Sequence, residues 1–94
     1  MYNVEIKGPN REIAPITIRI FQKHGIYNQL CFSSFIWDHV EDVEEECAKQ
    51  GIERPPFGYT VFNTYMIKPE YIAKHFKEGD SVVLPNDFVL CYQD

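Results

Sequence analysis

The sequence predicts a small α+β domain with a mostly antiparallel sheet of about five or six strands and two helices. Three observations carry that expectation. Apolar and polar residues alternate in short segments near both ends of the chain, turn-forming residues separate those segments closely, and two stretches carry helical spacing instead. At 94 residues and 45% hydrophobic composition, the chain fits one globular domain, 1–94. A chain of this size buries roughly two-thirds of its unfolded surface on folding, enough for a core without metal or disulfide support.

The elements follow the order β-β-β-α-β-α-β-β. Tyr2, Val4 and Ile6 alternate with polar neighbours as a strand, and Gly8-Pro9-Asn10 supplies a turn. Ile16, Ile18 and Ile20 alternate with Thr17, Arg19 and Phe21, giving a second strand of β-branched character. Lys23-His24-Gly25 closes a hairpin, and Tyr27 to Phe35 reads as a third strand.

Ile36, Val40, Val43 and Cys47 are then spaced 4, 3, 4, the stripe of a helix running from about Trp37 or His39 to Gln50. Asp38 followed three residues later by Glu41 has the form of a capping box, and Gly51 is a stop. Arg54-Pro55-Pro56 is a stiff connector. Tyr59 to Ile67 reads as a long central strand. Pro69 opens a second helix that Gly79 ends, and Val82 to Leu90 reads as a hairpin around Pro85-Asn86-Asp87.

Charge is the feature that bears on function. Six of the fourteen acidic residues are Asp38, Glu41, Asp42, Glu44, Glu45 and Glu46, with no Lys or Arg among residues 38–48. This segment carries a formal −6 and the rest of the chain +1, within a net charge of −5. Like charges at i,i+3 and i,i+4 cost about 0.2–0.5 kcal/mol per pair on a helix, and only the first turn gains from the helix dipole. A face arranged for stability alone would interleave lysines.

The leading expectation is therefore a small, non-enzymatic protein that docks this helix on a basic surface of a macromolecular partner. Asp38, Glu41, Asp42, Glu44 and Glu45 would make the charge contacts, with Trp37 as a partly exposed anchor. Its sharpest form is a mimic of nucleic acid that inhibits a nucleic-acid-binding or defence enzyme, as small acidic virus-encoded proteins do. That is an analogy of size and charge. The expectation requires that the carboxylates be free of the chain's own cations.

A second expectation is a pocket for a small ligand or nucleotide between sheet and helices, lined by Tyr59, Asn63, Tyr65 and His75. A third is a sheet edge that pairs with a copy of the chain, making a homo-oligomer.

Several classes find no support. A pI near 5.1 argues against direct contact with nucleic acid. No P-loop, dinucleotide fingerprint, G-x-S-x-G or H-E-x-x-H is present, and no pattern calls for a cofactor or metal. Cys31, Cys47 and Cys91 form no ligand spacing and read as small hydrophobes. No apolar run reaches the length of a signal or membrane segment, so the chain reads as a soluble cytoplasmic protein.

Overall fold

The computed structural model describes residues 1–61 and 67–83. Their elements are β1 (Tyr2–Glu5), α1 (Ile13–Lys23), a 3₁₀ turn (Tyr27–Gln29), β2 (Leu30–Ser34), α2 (His39–Gln50), β3 (Phe57–Thr60), α3 (Pro69–His75) and β4 (Ser81–Val83). The strands form one sheet in the order β1-β2-β3-β4, and every neighbouring pair is parallel.

This corrects the expected antiparallel sheet of five or six strands with two helices: the described residues form three α-helices and a four-stranded, all-parallel sheet. The misreading of α1 is one source of the difference. Ile16, Ile18 and Ile20 belong to α1, not to a strand. Ala14, Ile18 and Phe21 fall on one face of α1 at spacings of 4 and 3. Ala14 and Ile18 are fully buried there, and Phe21 packs against the core partly buried. With α1 taken for a strand, the first three segments were separated only by tight turns, and only antiparallel pairing allows that. Gly8-Pro9-Asn10 instead leads into α1, and Gly25, at φ 70°, follows its end.

The other expectations divide. α2 ends in a left-handed Gly51 at φ 69°, with Ile52 N–H donating to Cys47 O and Gly51 N–H to Ala48 O, the paired bonds of a Schellman stop. The capping box does not form. Asp38 has helical backbone angles and makes no side-chain cap, and the first amides of α2 bond to the carbonyls of Ile36, Trp37 and Asp38. β2 is shorter than the expected strand because Tyr27–Gln29 winds as a 3₁₀ turn. Pro69 opens α3, which stops at His75 before Gly79. β3 covers only the start of the expected long strand. Residues 62–66, and Leu84 to Leu90 of the expected last hairpin, lie outside the described residues.

Parallel strands joined in sequence order by right-handed crossovers put every connecting helix on the same face. The core agrees. Phe32, Phe57 and Tyr59 of the sheet pack with Ala14 and Ile18 of α1 and with Val40, Val43 and Cys47 of α2; Tyr71 and Ile72 of α3 join them partly buried. The opposite face carries Asn3, Glu5, Cys31, Ser33, Gly58 and Ser81 in register, and no described helix lies on it. A Cβ on Gly58 would come within 3.1 Å of Val83 Cγ2 and 3.3 Å of Ser33 Cβ, so glycine suits this crowded central position.

Candidate functional site

At 100° per residue, the six carboxylates of α2 and its N-cap fall into three groups. Asp42 and Glu46 flank α1. Glu44 flanks β3 and α3. Asp38, Glu41 and Glu45 share an outward strip about 60° wide, opposite the buried stripe of Val40, Val43 and Cys47.

The α1 flank is an ion-paired seam. Arg11 Nε donates to Asp42 Oδ2 at 2.6 Å, and Arg19 Nη1 lies 3.8 Å from Glu46 Oε1. Gln50 Nε2 donates to Glu46 Oε2 at 2.6 Å, and Gln22 Nε2 donates to Gln50 Oε1 at 2.7 Å. Glu46 is 6% exposed. Asp42 holds the Arg11 guanidinium above its ordinary pKa, chiefly through that hydrogen bond. A shallow groove of about 370 Å³ runs along the seam, lined by Arg11, Pro15, Arg19, Asp42, Glu45 and Lys49.

His39, completely buried, sits beside this seam. Its Nε2 is 2.8 Å from Gly8 O, which can only accept, so Nε2 carries the proton. Its Nδ1 faces Asp42 Oδ2 at 3.6 Å and has no hydrogen-bond partner among the described residues.

The other flank is a buried polar knot. Arg54 makes two bonds to Asp80, at 2.9 and 2.5 Å, and donates to Pro55 O and His75 O. Asp80 also accepts from the backbone of Phe57 and Lys77, so one carboxylate ties β3 to the turn before β4. Burial, the largest single influence, opposes the charge on Arg54, but the Asp80 hydrogen bond and the negative charge around it together outweigh burial and hold the guanidinium above its ordinary value. Glu44 joins the knot, 2.8 Å from His75 Nδ1 and 3.9 Å from Arg54 Nε.

Tyr59 is fully buried against this knot, and its hydroxyl has no hydrogen-bond partner among the described residues. Burial, with Asp80 and Glu44 adding to it, pushes its pKa up to about 12. The ring packs edge-on to Trp37 and stacks on Phe76.

The site residues read from sequence are thus placed as follows. Asp38, Glu41 and Glu45 face outward. Glu41 nevertheless accepts from the Tyr71 hydroxyl at 2.9 Å and lies 4.0 Å from Arg11, while Arg11 reaches only the backbone carbonyl of Asp38. Asp42 and Glu44 pair with the chain's own cations. Trp37 is 8% exposed and donates its Nε1 proton to Thr60 O, so it lies in the core and not at a surface. Tyr59 and His75 pack inside the domain, buried, and Asn63 and Tyr65 lie outside the described residues.

Sequence reasoning missed Arg11, Arg54 and Asp80. Arg54 and Asp80 are 26 residues apart, and Arg11 is 31 from Asp42, so no local spacing announces either pair. Among the described residues no group of three or more His, Cys, Asp and Glu side chains is placed to hold a metal, and no helix is long and apolar enough to cross a membrane.

Comparison of the chain with protein-family models, with curated proteins and with solved structures found no match to any of them.

Proposed function

We propose that the protein is a non-enzymatic binding protein that offers the outer strip of α2 to a basic surface on a macromolecular partner. The observation that supports this reading is the arrangement of Asp38, Glu41 and Glu45. They lie along one solvent-facing strip about a helical turn apart, and Glu45 has no ion pair among the described residues. A strip of this kind steers a cationic surface by long-range attraction and sets its register on contact.

The contact is narrower than the charge count implies. Asp42, Glu44 and Glu46 are engaged in ion pairs within the chain, and this reading does not call on them. The proposal therefore rests on the outer three carboxylates and not on the acidic segment as a whole.

The experiment compares the native chain with a variant carrying Asp38→Asn, Glu41→Gln and Glu45→Gln as bait in a cell extract, at low and at high salt. The native chain should capture a basic protein at low salt and lose it at high salt, and the variant should capture none at an unchanged melting temperature. Equal capture by both baits, or none by the native chain at low salt, would sink the reading.

A further inference from the structure

We draw no further inference here: the strongest candidate, the hollow of about 390 Å³ around Cys31, Ser33, Gly58 and Ser81 on the face of the sheet that no described helix covers, carries nothing because nothing in the structure shows what covers it.

Discussion

Around α2, Glu46, Arg54, His75 and His39 are all less than a tenth exposed, each within 4 Å of an oppositely charged or carbonyl group. Around α1, Ile16 and Ile20 stand at least four-tenths exposed, and Arg19 is the helix's link to α2 by charge. The two helices are neighbours of nearly equal length, 11 and 12 residues, with opposite habits. One turns charge inward and the other turns apolar surface outward. Residue type alone therefore misstates which side chains face outward: much of the acidic helix is engaged within the chain, and the apolar one exposes Ile16 and Ile20.

The largest test of that contrast is the Arg54–Asp80 pair. Replacing Asp80 by Ala leaves a buried guanidinium without its counter-charge and removes the acceptor for the Phe57 and Lys77 amides. A loss of about 3–5 kcal/mol of unfolding free energy is expected from chemical denaturation. Arg19→Ala on the α1 side breaks a pair whose arginine is 56% exposed, and less than about 1 kcal/mol is expected. Similar losses for the two variants would remove the distinction between the regions.

Next comes a pair of isoleucines two residues apart. Ile18 is fully buried and Ile20 half exposed on the same helix. Ile18→Ala should cost about 2–5 kcal/mol and Ile20→Ala under about 0.5 kcal/mol in the monomer. In a strand, residues 18 and 20 would share a face and respond alike. The measurement thus tests α1 itself as well as the direction of its faces.

That pair also shows why part of the fold was hidden. Val40, Val43 and Cys47 fit only a helix, so α2 and its Gly51 stop were legible. Ile16-Thr17-Ile18-Arg19-Ile20 fits period two, and β-branched residues favour strands, yet Ala14, Ile18 and Phe21 fit a helix equally well. Pro15 falls in the first turn of α1, where it is tolerated. Packing against Phe32 and Val40 decided a choice that the local pattern left even. Strand direction was illegible for a different reason, since alternation reports which face is buried and says nothing of parallel or antiparallel pairing. The acidic segment was legible as charge. Its partners were not, because Arg11 and Arg54 reach it across distant sequence.

Alkaline titration probes the inward-turning region from another side. Tyr59 has an ordinary pKa of 10.0, which the fold pushes up to about 12. Between those values the unfolded chain has released a proton that the folded chain retains, so folding is opposed more strongly as pH rises. Stability should be insensitive to this group below pH 10 and fall by roughly 2 to 3 kcal/mol on reaching pH 12. Tyr27 and Tyr71 are also raised, by burial first and then by Cys47 and by Glu41 respectively, and they add to the decline. Tyr59→Phe should shallow the decline and leave stability at neutral pH equal or higher, because it removes a buried hydroxyl with no hydrogen-bond partner among the described residues. Unfolding free energies of both proteins measured from pH 8 to 12 decide the matter, and superimposable curves would count against the buried tyrosine as a source.

The smallest effect isolates the outward strip. Glu45 is exposed and unpaired among the described residues, one turn from Glu41 and within reach of Asp42 on the same helix. Glu45→Lys turns two repulsions, from Glu41 and Asp42, into attractions and one attraction, to Lys49, into a repulsion, for a net gain of about 0.4–1 kcal/mol at low salt. The gain should shrink as salt rises, since exposed charges are screened over about 10 Å at 0.1 M. Glu46 one residue on has no such freedom, because Gln50 and Arg19 hold it in place. A stabilised Glu45→Lys variant that no longer captures a basic partner would separate the binding role of the strip from any role in the fold. A destabilised one would show that Glu45, too, belongs to the inward half of the helix.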